Sequence, residues 1–408
     1  MKQTKLILSI LALLLSASIT TTHSQETQNQ EWNQFRGSKR NGSADNIELS
    51  SFKEKSPKLI WKKKLGDGFS ELTISGDKIY TMISEKQDSI TGDEFIAAFD
   101  AKTGKEIWRT KVDKMFFDTF GDGPRSTPAI GEKNVYSLSS YGKLSANTKK
   151  NGKTVWQVDF MKEYGSKIPR WGFCSSPLLI GNNVIVEVGG TDSRAFMAFD
   201  KQSGKEIWKK GDGMATYNSP VAGKINEQQS IIFANGRKIY SLTTAGDTIW
   251  TYNSAISNPT GMPIVFDGNK IFISAIRNPA FIVLEINNNK AKEILRGTSM
   301  KNDYSSSLHY NGHVYGFHVA ALQCISVKTG EKKWTKRGFG KGSLIRLGDQ
   351  LLVLSDKGKL IQVKASSDAF TELGSIQALD GKSWTAPSFA NGKIYLRNLT
   401  EMACYELE

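Results

Sequence analysis

Short runs of alternating apolar and polar residues recur along most of the chain, for example Asn134-Val-Tyr-Ser-Leu-Ser139 and Lys393-Ile-Tyr-Leu-Arg397. A period of two residues is typical of β-strands that bury one face. No long window shows the 3.6-residue period of an amphipathic helix. The pattern therefore predicts an all-β protein built from many short strands.

One longer phrase recurs within this pattern. It reads AFDAKTGKEIW at residues 98–108, AFDKQSGKEIW at residues 198–208 and CISVKTGEKKW at residues 324–334. Weaker copies end at Trp156, Trp250, Leu295 and Leu373, so that successive copies end 39 to 52 residues apart. A repeat of this length with several short strands per unit is typical of a β-propeller, and we expect four antiparallel strands in each blade.

The recurring phrase has a physical role at a turn. Asp100 can accept hydrogen bonds from the backbone of the turn, and Gly104 can adopt the positive φ that closes the hairpin. We expect Ile107 and Trp108, on the strand that follows, to pack toward the neighbouring blade. The tryptophans that recur with the repeat are expected to be structural, because a binding site would not be copied into every blade. They are Trp61, Trp108, Trp156, Trp208, Trp250 and Trp334.

The two ends of the chain determine the number of blades. The last repeat, which begins near Trp384, supplies three strands and lacks the Trp-bearing one. Residues Leu59–Leu65 supply such a strand at the other end, and pairing the two would close the ring without an open sheet edge. This arrangement predicts eight blades and a monomer. Seven blades is the alternative, if one of the degenerate copies that end at Leu295 and Leu373 is not a true unit.

Residues 1–24 have the features of a secretory signal peptide. Lys2 and Lys5 precede the apolar run Leu6–Leu15, and small residues lead to a cleavage site before Gln25. No cysteine lies near this site, so a lipoprotein is not expected, and the apolar run is too short for a stable membrane anchor. We expect an exported, soluble protein, periplasmic or secreted, with an N-terminal extension at residues 25–56 and the propeller at residues 57–408.

The chain is basic, with 54 Lys and Arg against 40 Asp and Glu. The formal net charge of +14 falls to +12 when Lys2 and Lys5 leave with the signal peptide. Basic residues are spread over strand ends and turns, which favours diffuse attraction to anionic surfaces over nucleic-acid recognition. The expected partner is an envelope or extracellular protein, or an acidic polysaccharide or sugar ligand.

The T-G-x-x-x-W phrases and the Gly-x-x-Val/Ile-Tyr strands resemble the repeats of pyrroloquinoline-quinone-type (PQQ-like) propellers. The segment Trp32–Gly37, which reads WNQFRG, and the region Gly338–Pro387 resemble exported envelope members related to the BamB assembly factor. The resemblance supports the propeller fold. It implies two functions, namely protein binding as in BamB-like members, or alcohol or sugar oxidation as in quinoprotein dehydrogenases.

Quinoprotein dehydrogenases of this fold hold the quinone between a tryptophan and a disulfide of two adjacent cysteines, with calcium bound by acidic and amide side chains. In this chain Cys174, Cys324 and Cys404 stand far apart in the sequence. No cofactor is therefore predicted, and PQQ with calcium is kept as the alternative. Cys324 and Cys404 occupy the repeat position of Ala98 and are expected in the core.

Propellers bind ligands on the loops that enter the innermost strands, around the central channel. Aligning the repeats places one residue of each blade there; the eight are Phe69, Arg125, Cys174, Tyr217, Gly261, Tyr304, Lys341 and Trp384. Arg170 and Trp171 lie just upstream of the third. Four aromatic rings and two cations at one mouth could stack a sugar or a flat cofactor and pair with a carboxylate or phosphate. The alternative is that the aromatic residues only fill the channel.

Metal-binding patterns in the sequence are weak. On a strand, His309 and His313 would lie about 13 Å apart, too far for one metal ion, and with His318 they are expected in turns and at the surface. The loop Asp118–Gly123 resembles part of a calcium loop but lacks the full ligand spacing. The sequence contains no recognisable hydrolase or phosphate-binding motif.

These observations favour a non-catalytic binding or scaffold module. Its predicted channel-mouth site consists of Phe69, Arg125, Trp171, Tyr217, Tyr304, Lys341 and Trp384. The expected ligand is a segment of an envelope protein or an anionic, sugar-like molecule. The alternative is a PQQ-dependent dehydrogenase that oxidises an alcohol or a sugar, with the quinone lying flat on Trp384 or Trp171.

Overall fold

A computed structural model describes residues 31–407, so the predicted signal peptide and its cleavage site lie outside the described residues. The described chain forms eight antiparallel sheets, which are the blades of a β-propeller. The inner strands of neighbouring blades contact one another around the ring. The predicted all-β fold and the predicted number of eight blades are both confirmed.

Each blade has four principal strands, which follow one another from the central channel to the outer edge. In this order, blades 1 to 4 consist of Thr73–Ser75, Lys78–Lys86, Gly92–Asp100 and Glu106–Lys114; Ala129–Ile130, Asn134–Leu138, Lys143–Thr148 and Thr154–Asp159; Leu178–Ile180, Asn183–Glu187, Phe196–Asp200 and Glu206–Lys210; and Val221–Ile225, Gln228–Asn235, Lys238–Leu242 and Thr248–Asn253. Blades 5 to 8 consist of Ile264–Phe266, Lys270–Ser274, Phe281–Asn287 and Lys290–Gly297; Leu308–Tyr310, His313–His318, Ala321–Ser326 and Lys332–Lys336; Ser343–Leu347, Gln350–Leu354, Lys359–Lys364 and Glu372–Gln377; and Ser388–Ala390, Lys393–Arg397, Glu401–Glu406 and Lys58–Lys64.

Blade 8 closes the ring with strands from both ends of the chain. Its outermost strand is Lys58–Lys64, which pairs with Glu401–Glu406 in a register that sets Trp61 opposite Cys404. The pairing gives the last three C-terminal strands a fourth partner, so the sheet of blade 8 is complete. The predicted closing strand is therefore confirmed.

Each repeat phrase forms the turn that its composition predicts. Asp100 Oδ1 accepts hydrogen bonds from the backbone of Lys102 at 3.1 Å and of Thr103 at 2.8 Å. The hydroxyl of Thr103 also donates to Asp100, and these bonds hold the pKa of the Asp100 carboxyl below its ordinary value. Gly104 has a φ of 66°, in the left-handed region that favours glycine.

Recurring tryptophans join neighbouring blades at several boundaries of the ring. Trp108 Nε1 donates to the carbonyl of Lys149 in blade 2 at 3.2 Å, and a β-carbon on Gly152 would lie only 2.5 Å from the indole. Trp108 is structural, as predicted. Ile107, however, is 45% exposed, so its predicted packing against the neighbouring blade is wrong. Successive side chains on a strand point to opposite faces, and Trp108 takes the face that meets blade 2.

The N-terminal segment, residues 31–44, lies in the central channel. Trp32 forms an antiparallel bridge with Ile74 of blade 1, and the carbonyl of Asn33 accepts from the backbone of Ile130 in blade 2. Ser43–Ala44 adds a short parallel strand to the inner edge of blade 7. Because inner strands face the axis, a segment that contacts several of them fills the channel.

One short helix, Phe160–Tyr164, is found among residues 31–407. The Asp159 carboxylate accepts hydrogen bonds from two backbone N–H groups at its start, and Gly165 ends it with a positive φ. In the described part of the chain, no helix has the length and apolar character needed to cross a membrane.

Candidate functional site at the channel mouth

The loops that enter the inner strands surround a cavity of about 270 Å³ at one end of the channel. All five aromatic side chains predicted for the mouth line it, and we call these five the aromatic ring of the mouth; they are Phe69, Trp171, Tyr217, Tyr304 and Trp384. The sequence alignment selected four of these residues, and Trp171 lies just upstream of the aligned Cys174; the fold brings all five loops to one cavity. Whether they bind a ligand stays a prediction.

The rings of the mouth pack against each other. Trp384 stacks with Tyr304 at a centroid distance of 4.8 Å and with Phe69 at 5.8 Å, and the interplanar angles are 12° and 19°. Trp171 packs against Tyr217 at 5.0 Å with a tilt of 46°. Aromatic pairs of this kind contribute about 0.5–1.5 kcal/mol each beyond the area they bury. The ring is thus a preformed wall of stacked surfaces.

Arg125 lines the cavity, but its guanidinium is engaged by the chain. Nη2 donates to the carbonyl of Gly121 at 2.8 Å, and Nη1 donates to the carbonyl of Gly123. The guanidinium also lies 4.8 Å from the ring centre of Phe116 and 3.9 Å from the carboxylate of Asp118. Arg125 therefore holds the loop at residues 116–123 in place.

The second predicted cation, Lys341, is paired as well. Its Nζ lies 2.8 Å from Asp303 Oδ2 and 4.1 Å from the ring centre of Tyr304. Burial alone would lower the pKa of Lys341, but the hydrogen bond to Asp303 and the other attractive contacts together outweigh it, and the pKa is raised. The mouth thus presents aromatic surface together with cations that already have partners.

The structure corrects two positions of the predicted ring. Lys341 lies beside Tyr304 but is not among the residues that line the cavity. Blade 5 contributes Thr260 and Met262 to the cavity wall in place of Gly261. Thr260 stands three residues before a proline, as the ring residues of blades 2, 3 and 4 do. The hairpin that follows has three residues between the paired Phe266 and Lys270, whereas blade 6 has two at this point, and the extra residue shifted the alignment by one.

Phe120 is a residue of the mouth that the repeat alignment missed. Its ring lies over the cavity, with centroids 6.4 Å from Trp171, 6.4 Å from Tyr304 and 6.3 Å from Trp384. It sits in the loop between blades 1 and 2, outside the repeated positions, so no periodic signal points to it. The one signal in the sequence is that Phe120 begins the glycine-rich segment FGDG, which is typical of an exposed turn.

Hydroxyl groups beneath the aromatic ring tie neighbouring blades together. The acceptors Thr127 Oγ1, Ser176 Oγ, Ser219 Oγ and Ser306 Oγ bind the backbone N–H groups of Glu71, Thr127, Ser176 and Met262 at 2.9–3.1 Å. Each bond crosses from one blade to the next. The serines and threonines just before the inner strands are the sequence signal for this belt.

The floor of the cavity comes from the N-terminal segment. Phe35 and Arg36 line it together with Glu71 of blade 1. Glu71 Oε2 accepts from the backbone N–H of Arg36 at 2.8 Å, and the Arg36 guanidinium donates to the carbonyl of Ser307 at 3.1 Å. Burial raises the pKa of Glu71 to about 7, although Arg36 and Arg40 act in the opposite direction. The cavity is therefore open toward the mouth and closed below by the chain itself.

Two further glutamates are buried in the blades. Glu94 Oε2 accepts from the backbone of Ser140 at 3.0 Å, and Glu187 Oε1 accepts from the hydroxyl of Thr216 at 2.8 Å and from Asn235 Nδ2 at 3.1 Å. Burial raises the pKa of Glu94 to about 7 and that of Glu187 to about 8. These carboxyl groups hold their protons more tightly than exposed ones.

Cys174 lies in the cavity wall as a packed thiol. Its Sγ lies 3.4 Å from the carbonyl of Gly172 and 3.6 Å from that of Trp171, and burial raises its pKa to about 12. Cys324 and Cys404 are fully buried, which confirms their predicted place in the core. All three cysteines are free.

The three histidines of blade 6 make contacts with neighbouring residues and do not meet at one site. His313 Nδ1 lies 2.8 Å from the carbonyl of Asn311, and His318 Nδ1 accepts from the backbone of Lys301 at 3.3 Å. His309 packs on Phe266, and burial lowers its pKa. Within residues 31–407, no three His, Cys, Asp or Glu side chains come together in an arrangement suited to a metal ion.

The eight-bladed propeller with a lined channel mouth defines the class of protein, and sequence comparison defines the family. A family model described as outer membrane protein assembly factor BamB matches residues 92–371. The match spans more than half of the chain, and the chain belongs to this family of PQQ-like propellers. Among curated protein sequences no match was found.

Solved structures of very different function share the fold. BamB from Moraxella catarrhalis has a TM-score of 0.62 at 14% identity, over 86% of this chain and 97% of that one. A europium-containing methanol dehydrogenase has a TM-score of 0.67 at 11% identity, over 93% and 98%. Quinohemoprotein alcohol dehydrogenase from Comamonas testosteroni has a TM-score of 0.64 at 12% identity, over 92% and 80%. At these identities the likeness concerns the fold alone.

Proposed function

We propose that this chain is an exported, non-catalytic binding module that holds a segment of an envelope protein, or a sugar-like ligand, in the cavity at its channel mouth. The observation that carries the proposal is the aromatic ring around a cavity of about 270 Å³. Phe120 and Tyr304 are 39% and 41% exposed, so a partner can reach the rings. Membership of the BamB family favours a protein partner over a free sugar.

Stacking is the main attraction that this mouth offers. Arg125 and Lys341 were expected to pair with an anionic ligand, but the chain engages both through Asp118, Asp303 and backbone carbonyls. An anionic ligand that paired with Arg125 or Lys341 would first have to break these contacts. Apolar groups that pack against the exposed parts of the rings gain contact without breaking these polar bonds.

The residues present do not fit a quinone held as in quinoprotein dehydrogenases. The three cysteines are free thiols, and none of them has a cysteine neighbour in the sequence. Trp384 stacks on Phe69 and Tyr304, and Trp171 packs on Tyr217, so a flat quinone would have to displace an aromatic neighbour. The acidic groups of the described chain also form no cluster suited to calcium. These contacts support a function without the cofactor.

A titration with pyrroloquinoline quinone and calcium tests the non-catalytic part of the proposal. The purified mature protein is mixed with both, passed over a desalting column, and assayed for dye reduction with alcohols and sugars. We expect no quinone absorbance in the protein fraction and no dye reduction. Retained quinone with turnover of an alcohol or a sugar would replace the proposal with the dehydrogenase alternative.

A further inference from the structure

The side chain of Phe120 already lies inside the group of five aromatic residues that surrounds the mouth. It contacts Trp171, Tyr304 and Trp384, which come from three different loops, and so it spans the opening. It nevertheless remains 39% exposed, in contrast to the phenylalanines of the core. The chain itself therefore shows which chemical group its mouth accommodates, namely a flat apolar ring carried on a short loop.

Polar contacts, and no strand pairing, hold the loop that carries Phe120. Lys382 Nζ from blade 8 donates to the Phe120 carbonyl at 2.7 Å, and Arg125 donates to the Gly121 carbonyl at 2.8 Å. The backbone N–H of Phe120 donates to Asp118 Oδ1 at 2.8 Å. The contacts that involve Phe120 lie at the exposed surface, where water can replace them. The ring of Phe120 can thus leave the mouth while the blades stay paired.

The polar groups beside the rings favour an apolar ring over a sugar. A bound sugar needs hydrogen-bonding side chains that are free to meet its hydroxyl groups. At this mouth Asp303 is paired with Lys341, and the Asp118 carboxylate accepts from the backbone of Phe120. The hydroxyl of Thr260 donates to the carbonyl of Asn302 at 2.6 Å. Binding a sugar would exchange these bonds, whereas binding an aromatic ring leaves the Lys341–Asp303 and Thr260–Asn302 bonds intact.

Arg170 adds a charge preference to the mouth. It adjoins the lining residue Trp171, and its guanidinium lies 5.5 Å from the indole centre. The side chain of Arg170 is exposed. Its positive charge favours carboxylates on the segment that approaches, and it discourages basic segments.

We propose that the mouth binds an acidic protein segment that presents one aromatic side chain, and that this side chain takes the place of Phe120. The inference rests on the proposed function and narrows its ligand. In the complex, the partner's ring packs between Trp171, Tyr304 and Trp384, and its flanking carboxylates face Arg170. The side chain of Phe120 turns outward into solvent.

Three blocked peptides and one sugar test this inference by calorimetric titration of the mature protein. The peptides are Gly-Asp-Phe-Asp-Gly, Gly-Asp-Leu-Asp-Gly and Gly-Lys-Phe-Lys-Gly, and the sugar is methyl α-glucoside. The first peptide should bind at least tenfold more tightly than either of the others. Phe120→Ala removes the competing ring and should tighten binding of the first peptide roughly fivefold. Ile207→Ala, an exposed outer-strand control, should leave the affinity unchanged.

Each outcome separates the inference from the function on which it rests. Equal affinity for the Phe and Leu peptides, or an unchanged affinity in Phe120→Ala, overturns the inference. If methyl α-glucoside binds, loses its affinity in Trp384→Ala, and no peptide binds, the inference fails and the proposed function stands. If no probe binds and the protein retains quinone, both fail. Thermal melting of Phe120→Ala and Trp384→Ala shows whether each variant is folded.

Discussion

Trp156 and Gly204 meet at the boundary between blades 2 and 3, and the same pair recurs at other boundaries of the ring. A β-carbon on Gly204 would lie 2.6 Å from the indole, and its φ is +71°. Two separate physical demands therefore fall on one residue, a left-handed backbone and a close approach of an aromatic ring. The repeat in the sequence carries both demands, because the tryptophan and the glycine recur together.

Gly204→Ala should lower the free energy of unfolding by about 3 kcal/mol, because it adds a steric clash to the cost of a left-handed backbone. Gly76→Ala is the matched control, since Gly76 has a φ of +60° and no atom within 4 Å of the added carbon. We expect the control to cost about 1 kcal/mol, from the backbone alone. Urea denaturation measures both. Equal losses would mean that the tryptophan contact does not constrain this turn.

Glu187 makes the free energy of unfolding fall as the pH rises, which is the opposite of the effect of a carboxylate whose pKa is lowered by folding. Its folded pKa of about 8 lies above the ordinary value of 4.5, and burial is the cause. Between these two values the folded state keeps a proton that the unfolded state releases, so the free energy of unfolding falls as the pH rises. This contribution is fully present at low pH and is lost as the pH rises to the folded pKa.

Glu187→Gln should therefore flatten the fall in stability between about pH 5 and pH 8, because a neutral amide does not titrate. Denaturation at several pH values measures the slope. Glu227→Gln, at an exposed turn, is the control and should keep the slope of the parent protein. A variant slope as steep as that of the parent would show that Glu187 is already ionised in the folded protein across this range.

The N-terminal segment is the element that best separates what a sequence can reveal from what it cannot. The WNQFRG motif stands out in the sequence, but its place in the channel depends on bonds between distant residues. Arg36, for example, reaches the carbonyl of Ser307, 271 positions away. Such pairings are set by closure of the ring and leave no periodic trace. The strands, by contrast, follow from alternation and repeats, which are local.

Arg36 and Glu71 should behave as a coupled pair that anchors this segment. Arg36→Met removes the donor to Ser307 and a positive charge that stabilises the Glu71 carboxylate, so we expect a loss of about 3 kcal/mol. The double variant with Glu71→Gln should lose at least about 1 kcal/mol less than the sum of the single variants. A denaturant-based double-mutant cycle measures the coupling. Strict additivity would show that the two side chains do not interact.

For the whole molecule, the sequence repeat explains why some residues of the mouth were predictable and others were not. Phe69, Tyr217, Tyr304 and Trp384 occupy equivalent positions of the repeat, so an alignment alone brings them together. The pairing of Lys341 with Asp303 arises between side chains of two different blades, and the repeat does not specify it. Phe120 lies in a connecting loop, and the hairpin of blade 5 has an extra residue. Insertions and loop contacts are the features that repetition cannot encode.

Site-specific photo-cross-linking tests the central claim, that the channel mouth is a binding site for a protein partner. A photoreactive phenylalanine analogue replaces Tyr304 at the mouth or Ile207 on the outer strand of blade 3, in cells that express the protein. The account predicts one discrete protein adduct from position 304, its loss when Trp384→Ala is added, and no such adduct from position 207. The absence of any adduct from position 304, or the same adducts from both positions, would contradict it.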